Sequence, residues 1–239
     1  MSEFIYRPLY DESSRTLGVQ RSGSGTKIRS VQKGLREKLL CAGCEGKLNL
    51  YETPSAKTWR HLLELPDHPT EANGKLLLSE TGNQGLVLSN IDYSVFKLFL
   101  LSLLWRAGVS RREEFKEVEL GPHAERLRSM IFKKDPGLCH EYPCIVFRLT
   151  GVEHAPLLNP IRDSWDGHVG YSFFLGKIKL LFLVSSHTRG SRFLRLALQP
   201  EGHMKVIFMD YNDLNIAKRV GELLRGVELP NSVGRRDDQ

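Results

Sequence analysis

Two cysteines, Cys41 and Cys44, stand at C-x-x-C spacing within Leu35-Arg36-Glu37-Lys38-Leu39-Leu40-Cys41-Ala42-Gly43-Cys44-Glu45. Two thiolates so spaced can share one tetrahedral metal ion, because a tight turn between them aims both sulfurs inward, but the same spacing also suits a redox dithiol or no chemistry at all. A closed structural zinc site needs four such ligands. The other two cysteines, Cys139 and Cys144, flank His140 and are the candidates to complete it. Cys144 also reads as the first residue of a buried strand, where free cysteine behaves as a small hydrophobe. A redox dithiol is the other chemistry open to C-x-x-C; it calls for a strand-to-helix junction in a βαβ unit, and none surrounds this motif.

Other groupings carry weaker chemistry. Asp163, Asp166 and His168 are metal-ligand types, but Asp-x-x-Asp-Gly-His is also ordinary turn composition. His123, with Glu125 close by, reads as a capping or surface histidine at a helix start, and His187, Arg189 and Arg192 read as a basic loop. Ser22 to Lys27 is superficially like a phosphate-binding loop but lacks the Walker spacing and a preceding buried strand.

The chain has 239 residues, 41% hydrophobic and 26% charged, a balance that suits a globular core and excludes wholesale disorder. Its formal charge is +6. Residues Met1–Arg60 hold 11 Lys/Arg against 6 Asp/Glu, so most of the excess lies in the first quarter. Arg15, Arg21, Lys27, Arg29, Lys33, Arg36 and Lys38, with Tyr6, Tyr10 and Tyr51 near them in sequence, form a candidate phosphate-backbone footprint beside the cysteine pair. A solvated basic face is the alternative. No element reads as a base-recognition helix. Four cysteines do not make a disulfide scaffold, the first residues lack a secretory apolar run, and a reducing cytoplasm is expected. The most apolar run, Tyr93–Trp105, is 13 residues and contains Lys97, too short to span a bilayer.

The elements that must position these groups follow from punctuation and periodicity. Ser13–Ser30, rich in Ser, Gly and basic residues, reads as a long loop. Leu48, Tyr51 and Trp59 fall near helical spacing up to Leu65, interrupted at Pro54, so one helix or two short ones are expected there. Lys75–Ser79 and Gly85–Ser89 read as a hairpin. Asp92 caps a helix apolar on all sides, and a second helix spans Pro122–Lys133. Strands are expected at Cys144–Thr150, Gly170–Leu175, Ile178–Ser185, Phe193–Leu198 and Met204–Met209, then a helix at Leu214–Leu224 and a polar tail from Pro230. The fold class expected is α+β: a zinc-knuckle and helical first half (residues 1–137) with a buried central helix, then an antiparallel sheet with a C-terminal helix (138–229) and the tail (230–239).

The run Gln32-Lys33-Gly34-Leu35-Arg36-Glu37-Lys38-Leu39-Leu40-Cys41-x-x-Cys44-Glu45, continuing to Tyr51-Glu52, resembles uncharacterised bacterial proteins with an HNH-like, treble-clef zinc fold. Lys97-Leu98-Phe99-x-x-Ser102-x-x-Trp105-Arg106 and Leu120-Gly121-Pro122-His123-x-Glu125 extend the resemblance over roughly the first 135 residues. It implies zinc at Cys41 and Cys44, a nucleic-acid-associated role, and a context in bacterial defence or mobile elements. In that family a first C-x-x-C and a Ser-His step precede the stretch matching Ser2–Arg7, and the sequence starts at that point, so the histidine that would activate water has no counterpart. Asp67-His68 follows the second knuckle rather than preceding it. Enzyme activity, which would be metal-dependent phosphodiester hydrolysis, is therefore left open. The other class of reading is a non-enzymatic interaction or scaffold protein in which the C-x-x-C staples a turn, with a protein partner or a second copy of the chain.

Overall fold

The computed structural model describes residue 5 and residues 15–22, 25–32, 37–78, 84–152, 157–165, 167–185 and 188–213. Within them one nine-stranded mixed sheet carries three helices against one face. The strands are β1 (Arg15–Ser22), β2 (Gly25–Gln32), β3 (Lys75–Leu78), β4 (Gln84–Leu88), β5 (Cys144–Thr150), β6 (Leu157–Trp165), β7 (His168–Leu175), β8 (Ile178–Leu183) and β9 (Met204–Asp210). Their spatial order is β2-β1-β6-β7-β8-β5-β9-β4-β3. All neighbours run antiparallel except β1 with β6 and β5 with β9, which are parallel.

The helices are α1 (Ala42–Glu64), α2 (Tyr93–Val109) and α3 (His123–Lys133). Helix α2 starts where Asp92 Oδ1 accepts from the Val95 N–H at 3.0 Å, a side-chain cap that satisfies a donor the helix cannot. Its residues Phe96–Ala107 are all buried, between α1, α3 and the sheet. Helix α1 buries Leu48, Tyr51, Ser55, Trp59 and Leu62, a stripe at three- and four-residue steps. Pro54 does not break it: the proline is exposed, and so is Leu50, whose carbonyl loses its helical donor there to solvent. Helix α3 ends with Lys134 at φ 61° and an Asp135 N–H to Met130 carbonyl bond of 2.9 Å, a left-handed cap held by a lysine where glycine is usual.

The central strands β5, β7 and β8 are buried on both faces and read as near-continuous apolar runs. Val146, Tyr171, Phe173, Leu180 and Phe182 meet the helices in the main core. Ile145, Phe147, Leu181 and Leu183 point the other way, under Trp165, Phe193 and Leu196. The main core takes side chains from Ile5 to Phe208, so both parts of the chain build it.

Several expectations are corrected. Within Ser13–Ser30, expected as a long loop, Arg15–Ser22 and Gly25–Ser30 are strand: β1 and β2 pair from Arg15↔Gln32 to Ser22↔Gly25. Phe193–Leu198 is not a strand but a 3-10 turn, Arg192–Leu196, which sets Phe193 and Leu196 three apart on one side as a lid on the sheet. Strand β6 is an addition; Pro160 lies at its register shift between Leu158 and Ile161, which is where a sheet tolerates proline. The expected helix Leu214–Leu224 and the tail lie outside the described residues.

Gly108, near the end of α2, packs where a Cβ would run into the buried side chain of Leu120. Gly108→Ala should cost about 1–3 kcal/mol by overpacking, measured as a lowered denaturant midpoint at unchanged slope, despite alanine's better helix propensity.

Candidate functional site

Cys41 is the N-cap residue of α1, extended at φ −73° and ψ 160°, and its carbonyl accepts the first helical bond from the Glu45 N–H at 3.0 Å. Cys44 falls in the first turn, so the C-x-x-C spacing becomes a pair of thiols at one helix end. Cys41 is exposed and Cys44 half-buried. The Cys41 thiol is held below its ordinary value, chiefly because the Cys44 backbone N–H points at its sulfur and then because the Cys44 thiol donates to it. The Cys44 thiol is raised, first by donating that hydrogen bond to Cys41, with Lys47 and Arg128 pulling the other way. The two thiols thus act on each other, and the charges of Lys47 and Arg128 reach Cys44.

The approach to this corner is fixed. Glu37 Oε2 accepts from Ser110 Oγ at 2.5 Å and Oε1 from the Arg111 N–H at 3.2 Å, tying the segment before Cys41 to the end of α2. Lys47 Nζ stands 6.0 Å from the centroid of Phe132, and Arg128 forks onto Glu125 at 2.8 and 2.6 Å.

The other expected ligands are elsewhere. Cys139 faces Lys97 at the far part of α2, and Cys144 is fully buried, its thiol pushed up by desolvation. Both line a small recess of about 10 Å³ with Lys97 and Tyr142. The His140 carbonyl accepts from Thr188 Oγ1, and its Nε2 lies 3.4 Å from Arg189 Nη2. Among the described residues no three His, Cys, Asp or Glu side chains converge as a metal site. Two thiols supply at most two of the four ligands a closed zinc site needs, and no described residue joins them.

His123 Nδ1 lies 2.9 Å from the Tyr142 hydroxyl. Burial, then Arg126, lowers the histidine's pKa, and burial raises that of Tyr142. Tyr142 sits at φ 49°, a left-handed conformation costly for an aromatic residue and held here by that bond. Asp163 accepts from Trp165 Nε1 at 3.0 Å, His168 is half-buried opposite Trp165, and Asp166 and His187 lie outside the described residues. Asp67 binds Lys177 Nζ at 3.2 Å, while His68 is exposed. Of the basic footprint, Arg15, Arg21, Lys27 and Arg29 lie on the β1–β2 hairpin, Lys38 is exposed beside the cysteine corner, and Lys33 and Arg36 lie outside the described residues.

Sequence reasoning passed over two buried lysines. Lys97 bonds the Leu138 carbonyl and, at 3.1 Å, Tyr93 Oη; burial brings its pKa down to about 8. Lys179, the second residue of β8, is 3% exposed. Their signal was a single lysine inside an otherwise apolar run.

No protein family, no curated protein and no solved structure matches this chain. Among the described residues no helix is long and apolar enough to cross a membrane.

Proposed function

We propose that the chain is a nucleic-acid-associated protein of HNH-like ancestry in which Cys41 and Cys44 supply half of a structural zinc site. The observation that carries this reading is the placement of two free cysteines at the start of α1, Cys41 exposed at the N-cap and Cys44 half-buried in the first turn. Thiolates at a helix N-terminus are stabilised by its unpaired N–H groups and by nearby cations. Zinc bound there would staple the extended entry of α1 at Cys41 to the helix's first turn at Cys44. Further support comes from chain order: the β1–β2 hairpin precedes in sequence a helix with Cys41 at its N-cap and Cys44 in its first turn. Two remaining ligands have to come from outside the described residues or from the same pair on a second copy of the chain. The reading is of binding; no described histidine joins the thiols to activate water.

The test is the zinc content of protein purified without chelators, for the wild type and Cys41→Ser/Cys44→Ser, together with DNA and RNA affinity at several salt concentrations. About one zinc per chain means the ligand set closes within one chain; about one per two chains means a four-thiolate bridge between copies. Both should disappear in the double variant, and nucleic-acid affinity should fall steeply with salt in the wild type. Absence of zinc from the wild type, with salt-insensitive or no nucleic-acid binding, would leave the scaffold reading. That reading is favoured by the Glu37 ties to Ser110 and Arg111, which hold this corner without metal.

A further inference from the structure

Helix α1 opens as Cys41-Ala42-Gly43-Cys44-Glu45-Gly46. Cys41 is its N-cap, reached by extended backbone, and Cys44 stands three residues on, in the first turn. By the radius and rise of an α-helix, residues three apart have Cα atoms about 5 Å apart. That separation lies within the span of a disulfide, roughly 4.4–6.8 Å between Cα atoms. The pair can therefore close on itself within the fold as it stands.

The two sulfurs are not equivalent. Both cysteines are free, Cys41 exposed and Cys44 half-buried. The first N–H groups of a helix have no partner inside it, and they favour a thiolate placed at the cap. The Cys41 thiol is accordingly lowered, first by the Cys44 N–H, while that of Cys44 is raised. An accessible outer thiol with a second thiol behind it is the arrangement that disulfide exchange requires. No βαβ unit surrounds the pair, but the chemistry draws on the helix start and the second thiol, and both are here.

The surface beside the sulfurs is bare. Ala42, Gly43 and Gly46 are exposed, and a Cβ added at either glycine would meet nothing within 4 Å. Neither glycine has a positive φ. Glycine weakens a helix relative to alanine, so neither packing nor backbone geometry calls for it at these positions. What it supplies is a surface without side chains, on which a second backbone can lie close to the sulfurs. Lys38 and Lys47 are exposed nearby in the chain, with Glu45 as the acid of the first turn.

We propose that Cys41 and Cys44 form a dithiol that reduces small peptide disulfides by exchange, Cys41 as the attacking sulfur and Cys44 as the resolving one. The Cys41 thiolate attacks one sulfur of the substrate; a new S–S bond forms to Cys41, the substrate S–S bond breaks, and one peptide thiolate leaves. Cys44 then gives up its proton and attacks the Cys41 sulfur, the mixed disulfide breaks, and the second peptide thiolate leaves. The protons shed by the two cysteines are taken up by the two departing thiolates. The pair loses two electrons and the substrate gains them. This is chemistry of the metal-free pair and does not rest on the zinc reading.

The probe is glutathione disulfide, given in excess to the full chain near neutral pH with a chelator present. Free thiols are then alkylated and disulfides located by peptide mass spectrometry. The wild type should end with a Cys41–Cys44 disulfide and both glutathiones released. Cys44→Ser should stop at a glutathione adduct on Cys41. Cys41→Ser, which keeps a favoured N-cap residue, should react at Cys44 about tenfold more slowly than that. A wild type that stays reduced, or that accumulates the adduct without the internal disulfide, overturns the proposal. So does equal reaction at Cys41 and Cys44 in the two single variants. Zinc content of untreated protein tests the metal reading separately.

Discussion

Glu52→Ala should destabilise the protein by about 3–5 kcal/mol, the largest single loss expected outside a wholesale core truncation. Glu52 and Arg106 are 6% and 4% exposed, and Arg106 Nη2 reaches Glu52 Oε1 at 2.5 Å. The guanidinium also donates to the Ser102 carbonyl at 3.2 Å and the Ser102 hydroxyl at 3.3 Å. Ser102 in turn gives its proton to the Phe99 carbonyl at 2.7 Å. This network joins α1 to α2 inside the main core. Removing the carboxylate leaves a buried cation with neutral acceptors alone, and that desolvated charge is the source of the loss. Glu52→Gln keeps an acceptor and should cost less. The double variant Glu52→Met/Arg106→Met removes both charges and should return close to wild type, since apolar packing replaces a buried pair at little net cost. Urea unfolding of all four proteins decides it: a double variant as unstable as Glu52→Ala would mean that packing, and not charge, is what the pair supplies.

How much of this was legible in the sequence depends on burial. Helix α2 was, because an apolar surface all round and Asp92 before it leave no other reading, and β5, β7 and β8 were, because strands covered on both faces are short apolar runs. The β1–β2 hairpin was not. Leu17, Val19, Ile28 and Val31 are its scattered apolar residues, and the Ser/Gly turn composition spread into a reading of the whole stretch as loop. Strand β6 hid behind Pro160, which marks a bulge rather than an end. Pro54 left one helix or two open, and the structure has one, since a proline on the exposed side of a long helix costs one solvent-facing bond and no packing. For the candidate site, spacing identified Cys41 and Cys44, but only the fold puts them at the cap and first turn of α1, where backbone N–H groups distinguish one thiol from the other. Separating them from Cys139 and Cys144 needs the tertiary structure, because nothing in local sequence says that Cys139 turns toward Lys97. Lys179 could have been found: a lone lysine in a strand with no polar face must be buried, and the sequence does not say with what.

Lys179→Met should make the protein more stable than the wild type at pH 7, by about 3 kcal/mol, with the advantage vanishing by pH 10.5. Lys179 titrates at about 8 in the fold against 10.5 for a free side chain, mainly through burial and despite the opposing field of Asp163. Below pH 8 it is charged in both states, and the folded chain bears the full cost of a desolvated ammonium. Between 8 and 10.5 the folded state has lost the proton while the unfolded state keeps it. Stability therefore rises with pH across that window, about 1.4 kcal/mol for each unit of separation. Methionine fills the same space, ringed by Phe147, Trp165 and Phe174, with no charge, so it lacks the penalty below 8 and gains nothing above it. No hydrogen bond is lost, because Lys179 makes none among the described residues. Lys97 shifts in the same direction, while buried Cys144 and the tyrosines Tyr51, Tyr142 and Tyr171, all raised by burial, favour unfolding at high pH. These groups are present in both proteins and cancel in the difference. The measurement is denaturant unfolding of wild type and variant in parallel from pH 7 to 10.5. A variant less stable than the wild type at pH 7 would mean that attraction to Phe147, Trp165 and Phe174 exceeds the cost of burial. Lys179 would then be a structural cation, held in its protonated form.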